Sequence, residues 1–144
     1  MLSMSRKQLA DIIAAIFIFL FVYTAMSKLM GFDAIKIRAG FLPALQPYAV
    51  FIGVAVPVTE LLTVLLLVMK RTRLCGLVVS LVLMGVFTGY IGWMLWLGVA
   101  LPCTCGGVIS RLTWPQHLWL NVGFMLLGIV GIWCYGAGVK SVKI

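Results

Sequence analysis

Acidic residues are nearly absent from this chain: three Asp or Glu stand against eleven Lys or Arg in 144 residues, with a single His. Charged residues of both signs make up 10% of it, against about 25% in a soluble domain. So little charge cannot coat a water-soluble globule, which excludes an ordinary cytosolic enzyme and a disordered tail. The net charge of +8 arises from scarce acids rather than from a dense basic stripe, so a nucleic-acid-binding module is excluded as well. One His and one close pair of thiols cannot complete a tetrahedral zinc site, and no metal centre is expected. Internal repeats and low-complexity segments are lacking too.

What fills the chain instead is apolar: 64% hydrophobic residues and a mean hydropathy of +1.20. The class that fits is an integral membrane protein, read as one domain over residues 1–144. A transmembrane helix takes about 20 apolar residues. Four charge-poor stretches meet that length, over about 9–26, 48–69, 74–99 and 116–135. The expected fold is an all-α bundle of four transmembrane helices. The first stretch has a basic start but no small-x-small cleavage site after it, so it reads as a retained helix rather than a signal peptide.

The cations sort by side. With the N-terminus inside, Arg6, Lys7, Lys70, Arg71, Arg73, Lys140 and Lys143 gather on the cytoplasmic side, against Lys28, Lys36, Arg38 and Arg111 outside. The positive-inside rule then puts both termini in the cytoplasm, in a multi-pass protein of a bacterial inner membrane. The first outer loop holds a short amphipathic segment, Asp33 to Leu42, with Asp33 as its cap and Ile35, Ala39 and Leu42 towards lipid. Trp93, Trp96, Trp114 and Trp119 fall near the outer interface and Trp133 near the inner one, as an aromatic belt requires. Gly85 and Gly89 on the third helix have small-xxx-small spacing, with Gly92 following, and are assigned to close helix packing.

The most chemically informative segment is Pro102-Cys103-Thr104-Cys105-Gly106-Gly107 in the second outer loop. Its thiols would face an oxidising compartment, where disulfides form and persist. A disulfide across one intervening residue closes a very small, strained ring, better suited to being reduced and remade than to stapling a structure. An inert or structural pair is the alternative reading. Cys75 and Cys134 lie near the opposite face and read as small apolar packing residues. His117 opens the fourth span after Thr113 and Gln116, which have capping-box spacing, and it shares a helix face with Asn121. It is a candidate for proton transfer to or from the thiols, or else an interfacial His exposed to water and headgroups.

Glu60 is the other outlier, deep in the second span. A carboxylate there is costly and must face the bundle interior with a partner. Lys28, Tyr23, Thr88 and Tyr90 are the candidates, and Pro57 one turn earlier frees a backbone carbonyl. Glu60 reads either as a proton relay or contact for a quinone-like ligand, or as a polar clamp between helices.

With these residues placed, the chain resembles the MauE/DoxX group of redox-associated membrane proteins. The resemblance rests on Ser27-Lys28-Leu29, Gly31-Phe32-Asp33, Pro57-Val58-Thr59-Glu60-Leu61-Leu62, the basic turn Lys70-Arg71, and Cys103-Thr104-Cys105-Gly106-Gly107 with Trp114, His117 and Asn121 downstream. It implies a four-helix bundle associated with periplasmic thiol-disulfide chemistry. The bundle is also similar in outline to disulfide-generating membrane proteins that pass electrons to quinone, although those use Cys-x-x-Cys at the quinone and usually a second pair.

Three functions follow as expectations. In the first, Cys103 and Cys105 exchange disulfides with a periplasmic thioredoxin-like partner or an exported client, aiding its maturation, with quinone as a candidate cofactor through Glu60. In the second, the chain is a non-catalytic accessory subunit of a larger membrane complex. The third, a carrier built around Glu60, is disfavoured because inverted repeats and broken-helix pairs are missing. Whether the chain is an enzyme or a thiol-bearing assembly factor stays open, as does its client.

Overall fold

A computed structural model describes residues 4–30, 46–98 and 113–142. Its helices are α1 (Arg6–Met30), α2 (Ala49–Val68), α3 (Arg73–Trp96) and α4 (Trp114–Val142), with a short 3-10 turn, Gln46–Tyr48, leading into α2. All four are long and apolar enough to cross a membrane, over Arg6–Met30, Val50–Val68, Arg73–Trp96 and Pro115–Ala137. The chain is a multi-pass membrane protein, and its outward faces meet lipid. Consecutive helices pack side by side and α4 closes back onto α1, so α1 and α3 stand across the diagonal and barely touch. The expected Asp33 to Leu42 segment lies outside the described residues.

The helix ends differ from the hydropathy boundaries because local chemistry sets them. α1 begins earlier than expected, where Ser5 and Gln8 form a reciprocal capping box: the Ser5 amide donates to Gln8 Oε1 at 3.0 Å and the Gln8 amide to Ser5 Oγ at 3.2 Å. α3 stops short of Val99, because Gly98 takes φ +69 and its amide donates to the Leu95 carbonyl at 3.1 Å. That left-handed conformation favours glycine at a helix end. At α4 the expected spacing works, since the Thr113 amide donates to Gln116 Oε1 at 3.1 Å.

Antiparallel packing gathers the start of α1, the α2–α3 turn and the end of α4 at one end of the bundle, called here the turn end. Lipid supplies no hydrogen bonds, so the last carbonyls of α2 must find donors within the protein. The Met69 amide reaches the Leu65 carbonyl at 3.2 Å, Thr72 Oγ1 the Leu66 carbonyl at 2.9 Å, and Arg73 Nε the Leu67 carbonyl at 3.0 Å. Tyr135 of α4 donates to the Lys70 carbonyl at 2.7 Å, and Arg73 Nη1 pairs with Asp11 of α1. The turn is thereby tied to both neighbouring helices.

Above it lies a dry core of Ile13, Ala14, Phe17, Phe21, Leu67, Leu77 and Met84. Close approach here depends on Gly76, Gly128 and Gly131. A Cβ at Gly76 would sit 2.9 Å from the Leu67 backbone nitrogen, one at Gly128 2.8 Å from Leu81 Cδ2, and one at Gly131 2.9 Å from Ile13 Cγ2. The stripe of Gly85, Gly89 and Gly92 does not do this. A Cβ at Gly89 or Gly92 meets no described atom within 4 Å, and one at Gly85 makes ordinary contact with Met125. Small-residue spacing marks a thin helix face but says nothing of whether a neighbour fills it. Cys134 is buried in this half, as expected for a packing residue, whereas Cys75 is exposed on the lipid-facing surface. Trp93, Trp96, Trp119 and Trp133 all point outward, consistent with an aromatic belt.

Replacing Gly76 with Ala forces a methyl against backbone atoms that cannot yield, at an expected cost of about 1–3 kcal/mol. Gly89→Ala should be neutral or mildly stabilising, since Ala is the better helix former. Thermal unfolding in detergent micelles checks both, and equal midpoints for the two variants would refute the packing assignment.

Candidate functional site

The opposite end, where α1 and α3 finish and α2 and α4 begin, is the loop end. Segments 31–45 and 99–112 join the helices here. The bundle interior changes character towards it, from the apolar core below to Thr24, Lys28, Glu60, Asn121 and His117.

Each helix contributes. α2 buries a stripe of Gly53, Pro57, Glu60, Thr63 and Leu67, spaced so that all face inward. Glu60 is fully buried on it, at 0% exposure. Thr63 returns its hydroxyl to the Thr59 carbonyl at 2.8 Å, so it makes no demand on a neighbour. Lys28, in the last turn of α1, reaches down and places Nζ 2.6 Å from Glu60 Oε1. Thr24, one helical turn earlier on the same face, donates to that same oxygen at 3.3 Å. From α3, the Phe87 ring lies beneath the ammonium, with Nζ 5.2 Å from its centroid. That contact favours the cation electrostatically. From α4, His117 and Asn121 are buried one turn apart on one face.

The pair is asymmetric. Lys28 keeps 18% of its side chain exposed while Glu60 keeps 1%, so the cation leads from the loop end down to the acid. Glu60 Oε1 accepts two donors, and Oε2 has none among the described residues. A buried charge is tolerated when paired, and truncating one partner leaves the other stranded. The arrangement can therefore hold a carboxylate in a dry interior while leaving one acceptor oxygen for a further donor.

The resemblance can now be tested directly. The family model described as Methylamine utilisation protein MauE matches residues 6–134. The chain belongs to the MauE family. The match runs from the first residue of α1 to Cys134 of α4, so all but the last turns of the bundle are family sequence. No curated protein and no solved structure matches the chain significantly.

Within this MauE-family bundle the sequence candidates fare differently. Glu60 faces inward with Lys28 as its partner, one of the four residues considered for that role. Its described bonds run to α1, not to the carbonyl that Pro57 frees on its own helix. Thr88, another candidate, donates instead to the Met84 carbonyl at 2.6 Å. His117 is buried, not an exposed interfacial side chain. Cys103 and Cys105 lie outside the described residues.

Thr24 and Phe87 were missed. Thr24 had a signal, its four-residue spacing from Lys28, while nothing in the sequence singles out Phe87. A hollow of about 360 Å³ opens on α1 among Phe19, Val22, Tyr23, Met26, Ser27 and Met30. Those residues occupy the helix face opposite Thr24 and Lys28, so the hollow belongs to the lipid side and does not lead to Glu60.

Lys28→Met should strand the Glu60 carboxylate and lower stability by about 3–5 kcal/mol. The double variant Lys28→Met with Glu60→Leu should recover much of that loss, because an apolar pair needs no counter-charge. A double-mutant cycle of unfolding midpoints in detergent reads the coupling, and strict additivity would show that the pair is not coupled.

Proposed function

We propose that this MauE-family protein is a thiol-disulfide exchange protein whose Cys103 and Cys105 act on the periplasmic face, with both termini in the cytoplasm of a bacterial inner membrane. The observation that carries this reading is the buried Lys28–Glu60 pair, which lies, like the buried His117 and Asn121 of α4, in the half of the bundle to which the cysteine segment is joined. A strained two-cysteine ring needs a way to handle protons and electrons, and the polar residues of the bundle gather at that end.

The exchange balances as follows. A client thiolate attacks the Cys103–Cys105 disulfide, forming a mixed disulfide and releasing one thiolate of the pair. A second client thiolate resolves it, leaving the client oxidised by two electrons and the pair as a dithiol. Restoring the pair passes two electrons and two protons to an acceptor, either a thioredoxin-like periplasmic protein or a quinone-class carrier in the lipid. The donors and acceptor at the cluster suit a quinone head: Lys28 and His117 carry N–H groups, and Glu60 Oε2 is a buried acceptor with no partner among the described residues. His117 would hold or pass a proton between the thiols and the interior. The family's description names methylamine utilisation, and an exported client in that setting that depends on correct disulfides would suit this reading.

Two measurements decide it. In intact cells a membrane-impermeant maleimide should label Cys103 and Cys105 after reduction and leave Cys75 and Cys134 untouched. Of Cys103→Ser and Cys105→Ser, one should accumulate a reductant-sensitive adduct with its client, and the double variant should slow client oxidation at least ten-fold. Unchanged client oxidation in the double variant would make the chain an accessory subunit instead.

A further inference from the structure

The turn end carries an unbalanced charge. Asp11 is its one acid among the described residues, and Arg73 takes it. Arg6, Lys7, Lys70 and Arg71 then have no acidic counterpart among the described residues. Arg6 lies over the ring of Trp133, 4.9 Å from its centroid, and that ring is 63% exposed. Lys7, Lys70 and Arg71 are exposed, and no described residue bonds to their side chains.

Three of these cations are close neighbours by construction. Lys7 precedes Asp11 by one helical turn and shares its face of α1. Asp11 holds Arg73, the first residue of α3, just after Lys70 and Arg71. The Lys7 face therefore stands beside the α2–α3 turn. That turn is fixed, with Tyr135 on the Lys70 carbonyl and Thr72 and Arg73 on the last carbonyls of α2. Directly around the cations the surface is apolar: Met4, Val68, Met69 and Leu74 are all exposed. A rim of fixed cations bordered by exposed aliphatic side chains and an interfacial Trp matches a phosphate with acyl chains attached. A nucleic acid has nothing apolar to place on Val68 or Leu74, and in a membrane-spanning bundle the lipid is already at hand around them.

We infer that Lys7, Lys70 and Arg71 form a binding site for the headgroup phosphate of an anionic phospholipid. Each cation near a membrane surface adds about 1 kcal/mol of attraction, or about five-fold in affinity. The site is independent of the cysteine chemistry, and its loss should leave thiol exchange unaltered.

The test uses the full chain, delipidated in neutral detergent, with phosphatidylglycerol and phosphatidylcholine added in turn and retention read by native mass spectrometry. The unaltered protein should prefer phosphatidylglycerol. The triple variant Lys7→Gln, Lys70→Gln, Arg71→Gln should lose that preference by about five-fold per cation removed. A control removing equal charge from the other end, Lys36→Gln, Arg38→Gln and Arg111→Gln, should keep it. Raising salt on the unaltered protein gives the same readout without any substitution, and the preference must fall. The site is overturned if the first triple variant keeps the preference, if the control loses as much, or if salt has no effect. It is likewise overturned if soluble polyglutamate displaces the lipid, which would make the rim a docking face for an acidic protein.

Discussion

Hydrocarbon offers no hydrogen bonds and little dielectric screening, so every polar group inside this bundle has to be matched from within the chain. Glu60 is the severest case, a carboxylate at 0% exposure in the middle of an apolar helix. Lys28 answers it from the last turn of α1, and the reach of a lysine side chain then limits how α1 and α2 can slide past each other. A shift of one turn would pull Nζ away from Oε1 and leave two unmatched charges. The same pair recruits a third helix, since the ammonium rests on Phe87 of α3. At the far end the same constraint acts on backbone carbonyls, which Thr72, Arg73 and Tyr135 satisfy.

These two solutions divide the bundle. Towards the turn end, helices approach closely through Gly76, Gly128 and Gly131, and the interior is filled by Phe17, Phe21, Leu67 and Leu77. Shape complementarity holds that half, and added volume harms it. Towards the loop end, Gly89 and Gly92 have no described neighbour within contact of an added Cβ, and the interior sets charge and amide groups among Ala25, Ile91 and Met94. Electrostatic matching holds that half. Chemistry can be placed there at the expense of a matched partner, without opening a cavity in the apolar core.

The four spans were legible because hydropathy over about 20 residues is a strong signal, and family membership agrees with it. Helix ends were less so. Ser5 and Gln8 extend α1 and Gly98 cuts α3 short, and such caps act over a few atoms that a hydropathy window averages away. Lys28 was readable as a partner for Glu60, because few cations lie near the spans and it is one of them. Phe87 was not, because an aromatic in an apolar helix looks like any other core residue until a cation stands over it. The glycine stripe on α3 misled for the opposite reason: the pattern was clear, but the neighbour that would use it is absent among the described residues. Cys75 was misjudged because it sits in the first turn of α3, where too few residues precede it for a periodicity to tell lipid from core.

The sequence also left Glu60 balanced between clamp and working residue, and the geometry shows which of its oxygens the neighbouring helix engages. A clamp is strongest when both carboxylate oxygens are engaged, because a buried polar atom left without a partner costs about 1–3 kcal/mol. Here Lys28 and Thr24 converge on one oxygen while the other has no donor among the described residues. Thr63, one turn away on the same buried stripe, turns its hydroxyl back to its own helix rather than to the acid. Thr63 thus does not cap the second oxygen, which has no donor among the described residues. The described contacts of Glu60 are those of an ion pair between α1 and α2, and the partner of its second oxygen is what separates the two readings.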